Sequence, residues 1–179
     1  MNPRQKRLIK DYEDMVKLRE QTNGMLDFRA DRNYQHYVVT INKIETLAGT
    51  TEKNAIKQSR HVFTIDLSPE YPLKQPDVKF ERTIFHPNWY PDGRVCYGYQ
   101  WTPGDKLSEL VIDTVKMMLF EIVDTKSPAN GDANRWYLRN KGNVRNIIPK
   151  IQFPPPYSGS EPELMVEEEE EDEDGLEFY

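Results

Sequence analysis

Apolar residues recur along this chain with two periods. Leu8, Tyr12 and Met15 share one face of a helix that starts at Asn2-Pro3, and Ile9 and Val16 widen the stripe. Asparagine caps well, and proline fits the first helical position, whose N–H would lack a partner in any case. Asn23-Gly24 ends that helix or opens a turn. Between residues 25 and 67 the period changes to two. Leu26 and Phe28, then Tyr37, Val39 and Ile41, then Phe63, Ile65 and Leu67 predict three strands. Residues 47 to 59, LAGTTEKNAIKQS, read as polar and turn-like. Val78 and Phe80 predict a short fourth strand after Pro76. The helical period returns at Leu107, Leu110, Val111, Thr114, Val115, Met118 and Ile122, with Ile112, Leu119 and Phe120 adding apolar surface elsewhere. A helix this apolar belongs at the centre, packed on the sheet, and its methionines read as core filler. Gly131 and Asp132 supply turn and cap residues before a further short helix. The predicted class is α+β: an N-terminal helix, a four-stranded antiparallel meander, a central helix and short C-terminal helices.

Charge divides the chain. Eleven of its 30 acidic residues fall in 154–179, a stretch without lysine or arginine; the other 19 face 24 basic residues in 1–153. The net charge of −6 therefore combines a basic body with a strongly acidic tail. Pro149 and Pro154-Pro155-Pro156 close the ordered part. The division expected is a folded domain over 1–153 and a disordered tail over 154–179, too acidic to bury enough surface against its own entropy. Such a tail can solubilise, fold back on the basic body, or steer the protein toward a basic groove on a partner. Arg4, Lys6, Arg7 and Lys10 crowd the first turns of the first helix, against the sign that its dipole favours. They form either a solvated face or a basic patch for a partner.

A single cysteine, Cys96, excludes an internal disulfide framework and suits a reducing compartment, cytoplasmic or nuclear. The three scattered histidines form no metal-ligand pattern. No apolar run approaches the ~20 residues that span a bilayer, and the basic N-terminus lacks the apolar stretch of a signal peptide.

Candidate chemistry gathers in residues 71–105, which are rich in Pro, Gly, Asn and Asp and hold Cys96 and two of the three tryptophans. Cys96 is either an idle buried thiol or a nucleophile. A thiolate exchanges readily with thioesters, so a cysteine can hold an activated acyl group and pass it to an amine. A hydrolytic cysteine needs a base close by, and His86, within a Pro-Asn turn, is better placed to bond backbone. Arg94 either favours the thiolate by its charge or is simply solvated.

The order of landmarks here resembles the ubiquitin-conjugating enzymes, the E2 family. Tyr71-Pro72 with Pro76 is similar to that family's YPxxPP; His86-Pro87-Asn88 is its HPN tripeptide; Cys96 follows Asn88 by eight residues; Trp101-Thr102-Pro103 follows in turn. The resemblance implies a ubiquitin-conjugating-enzyme-like fold in which Cys96 carries the modifier. Asn88 would stabilise the oxyanion, or serve only as a turn residue. Asp132 would be the acidic gate residue that helps the attacking lysine lose its proton, or only a helix cap; Asp124 is a second, weaker match. His86, Pro87, Tyr71, Pro72 and Trp101 would be structural. The first helix, with Arg4, Lys6, Arg7 and Lys10, would dock the activating enzyme (E1). Leu73 and Pro103 would meet a RING-type E3 ligase, unless they are ordinary exposed apolar residues. Ubiquitin or a ubiquitin-like protein is the implied modifier, with no small cofactor, metal, nucleic acid or membrane. The run from Ser127, SPANGDA, resembles the subgroup related to cullin-RING ligases. Three departures stand out: Cys96 to Trp101 is three residues shorter than usual, the glycine-rich hairpin turn is replaced, and Gly98 stands where an aspartate often follows the cysteine. The rival functions are a noncatalytic E2-variant module that binds ubiquitin or an E2 partner, and a thiol hydrolase.

Overall fold

A computed structural model describes residues 1–50 and 55–156. Helix α1 spans Pro3–Gln21, with Asn2 as its cap. Asn2 Oδ1 accepts from the Gln5 N–H at 2.8 Å, and Gln5 Oε1 accepts from the Asn2 N–H at 3.1 Å. This reciprocal capping box satisfies two N–H groups that the helix cannot. The buried face of α1 is Leu8, Asp11, Met15 and Leu18.

The strands are β1 (Leu26–Ala30), β2 (His36–Thr50), β3 (Ala55–Asp66) and β4 (Asp77–Phe80), antiparallel and in sequential order. Pairings such as Phe28↔Val39, Val39↔Phe63 and Phe63↔Phe80 line the apolar alternants up across all four strands. Helix α2 (Leu107–Met118) adds Leu107, Leu110, Val111, Val115, Met117 and Met118 to the same core. Helices α3 (Gly131–Asn140) and α4 (Val144–Ile147) follow.

Three expectations are corrected. Residues 47–59 are not all turn: β2 and β3 stay paired out to Thr50↔Ala55. Register shifts between Asn42/Thr46 and Leu47/Gly49 break the period that the reading relied on. They leave Ile44, Thr46 and Leu47 all buried, so this arm of the hairpin still covers core. Ile122 is not on α2, which ends at Met118. Phe120 takes φ of +55°, its N–H donates to Met117 O at 2.9 Å, and the Glu121 N–H donates to Lys116 O at 2.8 Å. That backbone costs a phenylalanine about 1–2 kcal/mol, offset by burying its ring against His86, Trp136 and Tyr137. The cap of α3 is Asn130, whose Oδ1 accepts from the Ala133 N–H at 3.0 Å, and not Asp132.

Phe153 is buried in the core, and the description ends at Pro156. The acidic tail thus lies, from residue 157 onward, outside the described residues. Among those described, no helix is long and apolar enough to cross a membrane.

Candidate active site

Cys96 is delivered by a loop folded back on the edge of β4. Residues Tyr90 to Gly93 close a turn, with Gly93 N–H donating to Tyr90 O at 3.0 Å and bridges at Lys79↔Arg94 and Trp89↔Val95. Gly93 has φ of +90°, and a Cβ there would lie 2.2 Å from the Phe80 carbonyl oxygen. Only glycine lets the loop come this close, and the approach is used: Phe80 N–H donates to Gly93 O at 2.9 Å. Three residues on, the Cys96 N–H donates to Asn88 O at 2.8 Å. The thiol is free and half-buried.

Tyr97 anchors the far side. Its ring is buried beside the core, and its hydroxyl is 2.7 Å from Thr114 Oγ1 on α2. The threonine hydroxyl donates to Leu110 O, so the tyrosine is the donor between the two. Burial raises the Tyr97 phenol well above its usual range, which keeps it neutral.

The His86-Pro87-Asn88 run is wholly buried. His86 Nδ1 accepts from the Asn88 N–H at 3.0 Å, which places the ring proton on Nε2. Burial lowers His86 to about 3, so it is a neutral turn-former at physiological pH. The Asn88 side chain forms a two-point clamp across to the segment between α2 and α3. Its Nδ2 donates to Asp124 O at 3.1 Å and its Oδ1 accepts from the Asp124 N–H at 2.9 Å. Asn130 N–H donates to Pro87 O at 3.0 Å and holds the same segment a second time. One amide hydrogen of Asn88 remains beyond the clamp.

The acidic candidates are separated by this arrangement. Asp132 sits in the first turn of α3 with its side chain 78% exposed, paired with Arg135. Asp124 is tied to Asn88 and meets the cysteine loop: a Cβ on Gly98 would lie 3.0 Å from Asp124 Oδ2. Arg94 is also reassigned. Its guanidinium is paired with Asp92 at 2.7 Å and lies over the Tyr90 ring, and the exposed Asp92 is held below the ordinary carboxylate range by that hydrogen bond. Cys96 opens on a groove of about 670 Å³, whose walls include Lys74, Pro76, Lys79, Tyr90 and Tyr99.

The basic residues of α1 fall into two classes. Arg7 is not part of an open patch. Its Nε donates to Asp11 Oδ2 at 2.8 Å, Nη1 to Pro103 O at 2.6 Å, and Nη2 to the Tyr71 hydroxyl at 3.0 Å and to Asp105 O. Tyr71 O–H donates to Asp11 Oδ2 at 2.6 Å, and Trp101 Nε1–H donates to Pro72 O at 2.8 Å. Arg7 and Asp11 thus stitch α1 to the loops that carry Leu73 and Pro103. Arg4 also turns inward, donating to Ser68 O at 2.9 Å. Lys6 and Lys10 stay exposed, Lys10 pairing with Asp14. Leu73 is 78% exposed, and Pro103, on the other of the two stitched loops, is exposed as well.

Sequence reading missed Asp11, although its signal was present: a carboxylate between Leu8 and Met15 on the buried face, four residues after an arginine. Asp11→Asn removes the charge that holds both Arg7 and Tyr71. It is expected to lower stability by about 2 kcal/mol, measured as the urea midpoint. An unchanged midpoint would mean that the stitching adds nothing.

Comparisons with known proteins point to one family. The family model described as ubiquitin-conjugating enzyme matches residues 7–151. Ubiquitin-conjugating enzyme E2 3 of Arabidopsis thaliana is 30% identical over 152 residues, covering 83% of this chain and 94% of that one. Ubiquitin-conjugating enzymes E2 from two African swine fever virus isolates are 34% identical over 84 and 80 residues, 41% and 38% of this chain. Those matches span only 38% and 36% of the viral proteins' own length. With the family match running across most of the chain and through the cysteine loop, the protein belongs to the ubiquitin-conjugating enzyme family.

Proposed function

We propose that this protein carries ubiquitin or a ubiquitin-like protein as a thioester on Cys96 and passes it to a lysine amine with the help of a RING-type E3. The observation that carries the reading is the pairing of Cys96 and Asn88. A half-buried thiol is hydrogen-bonded through its backbone to the residue whose side-chain amide is clamped in place with one hydrogen to spare. Attack on a thioester carbonyl builds an oxyanion, and a fixed neutral donor stabilises that charge without reorganising. The groove beside Cys96 offers room for an extended acyl chain. Two carboxylates compete to receive the lysine proton: Asp132 at the start of α3, and Asp124 in the segment before it.

Partner surfaces follow from exposure. Leu73 and Pro103 present apolar surface to an E3 on two loops locked together by Trp101, Tyr71 and Arg7. Lys6 and Lys10 face an activating enzyme, with Arg4 and Arg7 setting the helix behind them. The free thiol fits a reducing compartment, cytoplasm or nucleus. Lys6→Glu with Lys10→Glu is expected to slow charging about tenfold at low salt, by reversing electrostatic steering. The defect should shrink as salt rises and stability should hold within about 0.5 kcal/mol. Unchanged charging kinetics would return this face to plain solvation.

The reading is tested by incubation with an activating enzyme, ATP and ubiquitin, followed by electrophoresis with and without a thiol reductant. A conjugate that the reductant removes supports a carrier. Ubiquitin bound only noncovalently would favour a noncatalytic module.

A further inference from the structure

We infer that the acidic segment 161–174 docks on the cationic face of α3 in its own chain, over Arg139 and Lys141. The first support is where the body keeps its positive charge. Residues 1–125 hold 18 basic and 18 acidic residues, so they are neutral as a set. Residues 126–153 hold six basic residues against Asp132 alone. The whole excess of the body therefore lies in α3, α4 and the segments beside them. The acids are as concentrated: eight in succession run from Glu167 to Asp174.

The second support is that the structure leaves this face of α3 unneutralised. Arg139 and Lys141 are exposed and make no ion pair among the described residues. Arg145 is not available in the same way, because its guanidinium donates to Leu119 O and Phe120 O. Leu138 is 48% exposed and lies between Arg135 and Arg139 on the helix surface. Leu164, Met165 and Val166 stand directly before the run of acids, so an apolar contact accompanies the charge contact. Helix α1 is the rival surface, and it is largely neutralised from within. Arg4 and Arg7 turn inward, Lys10 and Lys17 share Asp14, and Glu13 and Glu20 add negative charge. Reach does not choose between them. From Pro156 to Glu167 the chain spans at most about 40 Å, against a radius of gyration of about 15 Å for a domain of this size. Charge selects the face. A tether this short also favours contact within one chain over contact between copies at micromolar concentration, because the local concentration it sets is in the millimolar range. Any other polyanion must displace the segment to reach α3.

The test uses the full chain with Cys96→Ala and Gly175→Cys, which leaves one thiol, beside the acids, for a nitroxide label. Amide signals of an isotope-labelled sample then report which residues the label approaches. Those of residues 135–141 should lose most of their intensity, and those of Lys6 and Lys10 should keep theirs. The loss should disappear as salt rises from about 0.1 M to about 1 M, where the Debye length falls from about 10 Å to about 3 Å. Arg139→Glu with Lys141→Glu should abolish it at low salt. Broadening centred on α1, broadening that salt leaves unchanged, or none on α3 would each overturn the inference. So would broadening that appears equally when the nitroxide and the isotope are on different molecules, which would identify contact between copies. If the double reversal fails to fold, the salt series on the unaltered helix decides alone.

Discussion

Cys96→Ala is expected to abolish covalent charging completely, and Cys96→Ser to leave a conjugate that thiol reductants do not cleave. Cys96 is the only cysteine, so no second thiol can substitute. An alkoxide is a far poorer leaving group than a thiolate, so a serine acyl ester would persist where the thioester turns over. Neither change should unfold the protein. The side chain is half-buried, and the bond that places residue 96 comes from its backbone N–H to Asn88 O. Electrophoresis with and without reductant distinguishes all three proteins. Charging that survives in Cys96→Ala would remove the assignment of the nucleophile.

Asn88→Ala should slow discharge to lysine about 100-fold, the usual loss for one oxyanion donor, while charging survives. It should also destabilise. Without the amide, the Asp124 N–H and carbonyl lose their partners in a partly buried segment, at about 1–3 kcal/mol. The two effects can be told apart with Asn88→Asp, which still accepts from the Asp124 N–H but offers no donor when ionised. Slow discharge in Asn88→Asp with charging intact identifies the donor as the missing element. Equal loss of charging and discharge, tracking the loss of stability in both variants, would leave Asn88 as a turn residue alone. Discharge is read by single-turnover chase, and stability by denaturant midpoint.

The parts of the fold legible in the sequence are those set by local period. Asn2-Pro3 opens α1 because the cap closes locally, between Asn2 and Gln5. Leu26 to Leu67 alternate because one face of each strand is buried. Reading failed where a nonlocal contact overrode the pattern. The β2–β3 arm looked polar because its bulges move the buried set off period two. The end of α2 was placed too late because the ring of Phe120 is worth more in the His86 and Tyr137 cluster than on a helical backbone.

The site was legible to different depths. Cys96 and Asn88 stand at a fixed spacing on one short loop, so their meeting could be anticipated. Asp124 and Asp132 are separated from that loop by the whole of α2. Which of them approaches depends on the Asn88 clamp and on the backbone of Gly98, and neither is visible in the spacing. Arg7 looked like surface charge because its four partners come from α1 itself and from loops 60 or more residues away.

The central claim is that Cys96 holds an acyl group and gives it to an amine. The most direct measurement is intact mass spectrometry of a charged, purified sample chased with free lysine. The account predicts that the thioester-linked species disappears as free-thiol protein and a modifier carrying one lysine on its C-terminus appear together. Release of the modifier with an unmodified C-terminus, at a rate indifferent to added lysine, would contradict it and identify a thiol hydrolase.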